Sequence, residues 1–137
     1  MKINKINKEF LDLYYKKKLV AYEFDEETGK VYLTDSYRMY VINYEDFIFR
    51  FDLFRKCSLK NLLNDDGYYD AELSDTFETI NNILCRILYV KDKIIKVNNK
   101  YFDLFDNFTL KAKDERSPIL VYENEDFKGL VMPIKEY

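Results

Sequence analysis

The sequence predicts an α+β fold in which two helices pack on an antiparallel sheet, and three observations support this prediction. First, the amino-terminal segment places Phe10, Leu13 and Tyr14 at helical spacing. Second, short segments rich in β-branched and aromatic residues follow it, separated by turn-forming residues. Third, a helix-then-strands outline occurs twice, from Asn7 and again from Asn98.

The first half of the chain is predicted to form a helix followed by an antiparallel hairpin. Asn7 suits the N-cap of this helix, and the lysines at 16–18 suit the negative end of its dipole. Gly29 closes the hairpin loop because glycine adopts the positive φ that such loops need. The predicted elements are a helix at 8–18, strands at 19–24, 30–42 and 47–51, and a short helix at 53–63.

The second half is predicted to contain two further helices among strands. Asp75 and Glu78 stand in capping-box register before a helical spacing of apolar residues. The segment 88–97 predicts a hairpin that turns at Lys91–Lys93. The other predicted elements are a turn at 64–67, helices at 75–87 and 98–107, and strands at 68–73, 109–113, 119–123 and 129–135.

Length and composition predict a single domain that spans residues 1–137. A chain of 137 residues lies in the usual size range of a domain, and 47% hydrophobic residues can supply a core. No apolar run approaches the roughly 20 residues that span a bilayer, and polar residues interrupt the first ten positions. We therefore expect a cytoplasmic protein that does not enter a membrane.

The residue counts argue against most kinds of active site. The chain has no histidine, and its two cysteines, Cys57 and Cys85, are not spaced as metal ligands. Histidine-based hydrolase triads and metal sites are therefore excluded, and we expect no catalytic residues, no metal and no cofactor. The net charge of −3 has the wrong sign for a strong nonspecific nucleic-acid binder.

The first helix and five short motifs, in order along the chain, resemble those of the bacterial DNA polymerase sliding clamp and of single-domain clamp-like phage proteins. Thr34–Met39 is similar to the family's Thr-Asp-Gly-x-Arg-Leu turn, with Ser36 in place of glycine. Val131–Lys135 is similar to the closing Met-Pro-x-Arg strand, with lysine in place of arginine. The other three motifs are Asp66–Tyr69, Val97–Phe105 and Ser117–Ile119.

The resemblance implies a sliding-clamp-like domain in which two helix-then-strands units are related by a pseudo-twofold repeat. It also implies a protein without enzymatic activity, of phage origin, that acts in DNA replication or its control. It implies a protein partner and a weaker contact with duplex DNA. The DNA-contacting residues on the inner side of the clamp would be Lys5, Lys8, Lys16, Lys17 and Lys18. The alternative is a solvated helix face, because Glu9 and Asp12 are interspersed among these lysines.

The carboxyl-terminal motif implies a binding site for the protein partner. In sliding clamps the last strand lines a hydrophobic cleft for a short peptide, which assigns partner binding to Met132, Pro133 and Ile134. The alternative is an ordinary buried final strand. We expect a monomer or homodimer rather than a ring, because closing a six-domain ring from this chain takes six copies.

Two other functions remain open at this stage. A small phage inhibitor could bind a host replication or defence protein, such as a CRISPR-type nuclease, through acidic loops and some of the 13 tyrosines and 11 phenylalanines. A carboxylate enzyme would be built around Asp35 and Arg38. The alternative for this pair is a tight turn in which Asp35 accepts backbone amides while Arg38 pairs at the surface.

Overall fold

The computed structural model describes residues 1–60 and 63–134 and shows an α+β fold. The chain divides into two compact units, Met1–Asn64 and Asp65–Tyr137, here called unit 1 and unit 2. The assignment of residues 1–137 to a single clamp-like domain stays a prediction. Within the described ranges, no helix combines the length and the apolar character needed to cross a bilayer.

Unit 1 begins with helix α1, Ile3–Tyr15, which starts earlier than predicted. Asn7 is not its N-cap but lies within the helix, buried beside Ile6 and Phe10, and its Nδ2 donates to the carbonyl oxygen of Asp46 at 3.2 Å. Burying a side chain such as Ile6 contributes about 1.5–3 kcal/mol, which exceeds the roughly 1 kcal/mol of an N-cap. Packing therefore extends the helix past its expected start.

Helix α1 ends in a Schellman motif. Lys17 adopts the left-handed conformation with φ 57°. The N–H of Lys17 donates to the carbonyl of Tyr14, and the N–H of Lys18 to that of Leu13, both at 3.0 Å. The predicted helix over 8–18 is therefore too long at this end, and the lysines at 16–18 lie in the turn.

The sheet of unit 1 has the strand order β4-β1-β2-β3. Its strands are β1 Ala21–Asp25, β2 Lys30–Thr34, β3 Arg38–Asn43 and β4 Arg55–Lys56. Strands β1, β2 and β3 are antiparallel neighbours, whereas β4 runs parallel to β1. The hairpin loop between β1 and β2 is confirmed, with Gly29 at φ 70°.

Three sequence predictions in unit 1 are wrong. The strand predicted at 30–42 is broken by a turn in which Ser36 has φ 80°. The segment 47–51 is not a strand: residues 47–50 lie between 3₁₀ turns at Tyr44–Asp46 and Phe51–Leu53, and Phe51 begins the second turn. The helix predicted at 53–63 is replaced in part by β4, and positions 61 and 62 lie outside the described residues.

The sheet of unit 2 has the strand order β10-β9-β8-β5-β6-β7, and all the paired strands are antiparallel. Leu88, Ile95, Val97, Ile119 and Val121 are fully buried in its core. The strands are β5 Tyr69–Ile80, β6 Ile83–Val90, β7 Lys93–Asn98, β8 Phe108–Ala112, β9 Ile119–Glu123 and β10 Asp126–Val131. The predicted turn between β6 and β7 is confirmed.

The helix predicted at 75–87 is wrong, because this segment forms the β5–β6 hairpin. Asn81 and Asn82 make its two-residue turn with φ 50° and 65°. Such a pair of positive φ angles is typical of a type I′ turn, which asparagine tolerates better than most residues. The turn and the β-branched residues around it outweigh the helical spacing of the apolar side chains.

The helix predicted at 98–107 is a 3₁₀ segment, Asn99–Leu104, that buries Phe102 and Leu104. The Asn98 side chain caps it by accepting from the N–H of Lys100 at 3.2 Å. The α+β class is therefore confirmed, but the second element is a short 3₁₀ helix rather than an α-helix. Strands β8, β9 and β10 follow it, as predicted.

The Asn81–Asn82 turn yields a prediction for stability. Asn81→Val is expected to lower the free energy of unfolding by about 1–2 kcal/mol, because a β-branched residue is strained at positive φ. Asn82→Gly, the matched control at the next position, is expected to change it little. Urea unfolding of both variants measures the difference, and equal midpoints would contradict the assigned turn.

Candidate functional site

The five lysines predicted to contact DNA are all exposed, but they form two groups. Lys5 and Lys8 lie along the solvent face of α1, and the lysines at 16–18 lie in the turn that ends it. At about 1.5 Å per residue, the helix separates Lys5 from Lys16 by roughly 16 Å. The structure therefore places three of the five predicted lysines side by side.

Two basic residues that the sequence analysis missed lie next to this turn. Arg55 and Lys56 form the exposed edge strand β4. The N–H of Arg55 donates to the carbonyl of Val20 at 3.1 Å, and the rings of Tyr14 and Phe54 lie 5.9 Å apart. These contacts hold β4 against the end of α1. We call the group Lys16, Lys17, Lys18, Arg55 and Lys56 the basic end of unit 1.

An aromatic segment, residues 44–54, lies beside the basic end. Phe47 is buried and Phe51 stacks on Tyr22 with ring centroids 4.7 Å apart and an interplanar angle of 8°. Neighbouring apolar side chains instead face solvent, with Tyr44 52% and Ile48 68% exposed. Buried rings therefore fix the segment in place while other apolar side chains remain available to a partner.

The Asp35–Arg38 pair is buried. The Arg38 side chain is 4% exposed, lies over the rings of Phe10 and Tyr40 at 5.4 and 5.6 Å, and forms ion pairs with Glu9 of α1 and Asp35. Asp35 also accepts from the N–H groups of residues 37 and 38 at 3.0 and 3.1 Å. The predicted Asp35 turn is confirmed, and surface pairing of Arg38 is wrong.

Arg38 and Tyr40 each keep one protonation state near neutral pH. Burial by itself lowers the pKa of Arg38, but Tyr40, Asp35 and Glu9 together raise it above its ordinary value. Burial also raises the pKa of Tyr40, so the phenol stays neutral. The guanidinium therefore links α1 to the sheet of unit 1 as a permanent charge.

A second buried carboxylate anchors the loop that follows β4. Asp25 accepts from the Lys60 ammonium and from Thr28 Oγ1, each at 2.8 Å, and from the N–H of Glu27 at 3.1 Å. Hydrogen bonds from Lys60 and Thr28 lower the pKa of Asp25 below its ordinary 3.8. The carboxylate form is therefore favoured in the folded protein.

Asp25 predicts a pH dependence of stability. Because its folded pKa is lowered, its contribution is present above the unfolded pKa of about 4 and is lost as the pH falls through the folded pKa. The destabilisation caused by Asp25→Asn, measured by urea unfolding, is expected to be largest above about pH 4 and to shrink below it. Lys60→Met removes the hydrogen bond that lowers the pKa of Asp25 most. The destabilisation that it causes should therefore change over the same pH range. A pH-independent difference would contradict the assignment.

The residues predicted to line a partner cleft are only partly accessible. Pro133 is buried, whereas Met132 and Ile134 are half-buried. Strand β10 ends at Val131, and the N–H of Ile134 donates to the carbonyl of Lys96 at 2.8 Å. The strand predicted to reach 135 ends early because Pro133 has no N–H to offer a neighbouring strand. Position 135 lies outside the described residues, and partner binding here stays a prediction.

Unit 2 contains a groove where two strands separate. Strand β5 pairs with β8 only over Tyr69–Ala71, and then follows β6. A groove of about 780 Å³ opens between them, with Glu72 and Leu73 on one strand and Phe108 and Thr109 on the other. Sequence analysis missed this feature because it assigned the second half of β5 to a helix.

The groove carries more negative than positive charge. Asp70, Glu72 and Glu125 line it together with Lys111, whose ammonium lies 5.3 Å from the centre of the Tyr122 ring. Among residues 1–60 and 63–134, no cluster of three or more His, Cys, Asp or Glu side chains is arranged to hold a metal ion.

Comparison with known proteins leaves these surfaces as the basis for assigning a function. No family model, curated protein or solved structure matches this chain.

Proposed function

We propose that this chain is a non-enzymatic, sliding-clamp-like binding protein that acts in DNA replication or its control. It contacts duplex DNA through the basic end of unit 1. It contacts a protein partner through the exposed apolar side chains of the aromatic segment, residues 44–54. The observation that carries the proposal is the clustering of Arg55 and Lys56 beside the lysines at 16–18, all of them exposed. Phosphate neutralisation by such side chains is the main source of sequence-independent DNA affinity.

The distribution of charge supports a DNA contact at unit 1 despite the net charge of −3. Residues 1–64 hold 12 basic and 10 acidic residues, whereas residues 65–137 hold 10 basic and 15 acidic residues. The negative charge of the chain therefore belongs to unit 2. A protein with this asymmetry can bind a phosphate backbone locally, because charges farther away than a Debye length of about 10 Å are screened at 0.1 M salt.

Charge neutralisation at the basic end tests the proposal. The triple variant Lys16→Gln, Lys17→Gln and Lys18→Gln is expected to weaken duplex-DNA binding and to reduce the salt slope of log K by about 2–3, since each phosphate contact contributes about 0.9. The matched control neutralises three exposed lysines of unit 2: Lys91, Lys93 and Lys100. Fluorescence anisotropy with a labelled duplex measures both slopes. Equal losses in the two triples would contradict a DNA surface at the basic end.

A second function, the inhibitor of a host replication or defence protein, is favoured by one specific observation. The stretch 65–78 holds six acidic residues and no lysine or arginine, and five residues of β5 after Ser74 are exposed. Such an acidic surface can occupy a nucleic-acid-binding site on a host protein. Affinity capture from the native host separates the functions: polymerase or clamp-loader subunits support the first, and a nuclease or other defence enzyme supports the second.

A further inference from the structure

The outer edge of β5 beyond Ala71 has no strand neighbour in the part of the chain that the structure describes. Strand β5 runs from Tyr69 to Ile80, but β8 covers only its first three residues, and β6 pairs with the opposite edge. An open strand edge presents N–H and C=O groups that can pair with another extended chain. The groove between β5 and β8 gives such a chain a place to enter.

The edge is held in a fixed conformation. Its register with β6 shifts between Leu73 and Phe77, which marks a bulge. Ser74 Oγ donates to the carbonyl of Ile87 at 2.7 Å, and Arg86 Nε donates to the carbonyl of Ser74 at 2.5 Å. These bonds fix the bend, and regular pairing with β6 resumes beyond it. An incoming strand therefore meets an ordered template and not a mobile loop.

The side chains along this edge determine which chain it can accept. Asp70, Glu72, Asp75 and Glu78 are all exposed, while Asp75 and Glu78 reach Arg86 and Lys96 at 3.2 and 3.0 Å. The groove itself has three acidic residues against Lys111. Opposite charges on adjacent strands stabilise pairing and like charges oppose it.

We propose that the outer edge of β5 binds an extended lysine- or arginine-rich segment of a partner protein, which adds to the sheet as a further strand. The proposal rests on the protein-binding function proposed above and adds to its apolar contact a second contact, at β5 of unit 2, with a basic segment of the partner. A second copy of this chain is not the proposed occupant, because its own β5 edge lies in a stretch, 65–78, that holds six acidic residues and no lysine or arginine. Backbone pairing supplies the affinity, and the acidic side chains select a basic sequence.

Three labelled peptides test the proposal on the full chain. The first alternates lysine with threonine and valine over seven residues, the second has glutamate in place of lysine, and the third is the lysine peptide methylated at every backbone nitrogen. At low salt, the lysine peptide is expected to bind saturably below about 1 mM, the weak end of specific recognition. The glutamate peptide is expected not to bind. The methylated peptide keeps its charge but cannot form a strand, and is expected to bind at least about tenfold more weakly.

Matched variants locate the site. Asp70→Asn with Glu72→Gln is expected to weaken binding of the lysine peptide by about fivefold, because two exposed charge contacts are lost. Glu26→Gln with Glu27→Gln makes the same charge change in the exposed hairpin loop of unit 1, and is expected to have no effect. In the complex, hydrogen exchange should slow at residues 73–80.

Each unfavourable result has a defined meaning. Absence of lysine-peptide binding, equal binding of the methylated peptide, or equal effects of the two charge variants overturns the β5 proposal. Neither variant changes a residue of the basic end of unit 1, so duplex-DNA binding is expected to persist in both. If the wild-type chain binds the lysine peptide but not duplex DNA, the DNA function is overturned and this proposal stands.

Discussion

Arg38→Ala is expected to lower the free energy of unfolding by about 3–5 kcal/mol, the usual cost of leaving a buried ion-pair partner uncompensated. The alanine removes the cation that faces Asp35 and Glu9 and leaves the buried Asp35 carboxylate without its ion pair. It also leaves a void beside the rings of Phe10 and Tyr40, over which the guanidinium lies. Both losses destabilise the contact between α1 and the sheet of unit 1.

Glu9→Gln is the matched control for Arg38→Ala. The Glu9 side chain is 38% exposed, so its half of the ion pair is screened by water and its loss is expected to cost about 1 kcal/mol or less. Urea unfolding of both single variants and of the double variant gives the coupling between the two residues. Equal destabilisation by the two single variants would contradict a buried, charge-paired Arg38.

Phe47→Ala is the second large expected effect, with a loss of about 3–5 kcal/mol in the free energy of unfolding. Phe47 is 8% exposed, and its ring lies 5.1 Å from Phe51 and 5.6 Å from Phe49. Removing it opens a cavity under the aromatic segment. The exposed side chains of this segment then lose their fixed positions, so partner binding should weaken together with stability.

Ile48→Ala provides the control, because the next residue along the chain is 68% exposed. Its substitution is expected to leave the free energy of unfolding nearly unchanged but to weaken the binding of any partner that contacts the aromatic segment. Phe47→Leu keeps most of the buried volume and replaces the alanine variant in the measurement if that variant does not fold. Similar destabilisation by Phe47→Ala and Ile48→Ala, measured by urea unfolding, would show that the segment is not anchored by its buried ring.

Local signals in the sequence were enough for several elements. The amphipathic spacing around Phe10 predicted α1, and Gly29 predicted the first hairpin loop. The turn at Asp35 was predicted from the tendency of aspartate side chains to accept nearby backbone amides. In each case the residues that determine the element are close together in the chain, so the pattern is visible without knowledge of the fold.

The β5–β6 hairpin could not be predicted from the same signals. Its outer residues are mostly exposed, so β5 lacks the two-residue alternation of buried and exposed positions that indicates a strand. Asp75 and Glu78 have the spacing of a capping box but do not form one. The apolar residues of 75–87 happen to fall at helical spacing. The decisive feature is the Asn81–Asn82 turn, whose positive φ angles became evident only in the structure.

The candidate sites depend on contacts between distant residues, which explains why they were only partly predicted. The lysines at 16–18 were recognised as a basic run, but Arg55 and Lys56 join them only through the parallel pairing of β4 with β1. Burial of Arg38 depends on Glu9, which is 29 positions away in the chain. The groove in unit 2 depends on where β5 separates from β8.

The affinity of the wild-type chain for a labelled DNA duplex, measured from low to moderate salt, tests most directly whether this is a DNA-contacting binding protein. Five basic side chains at the end of unit 1 predict a slope of log K against log salt of about −3 to −5. A slope near zero, or no binding at the lowest salt, would contradict the account.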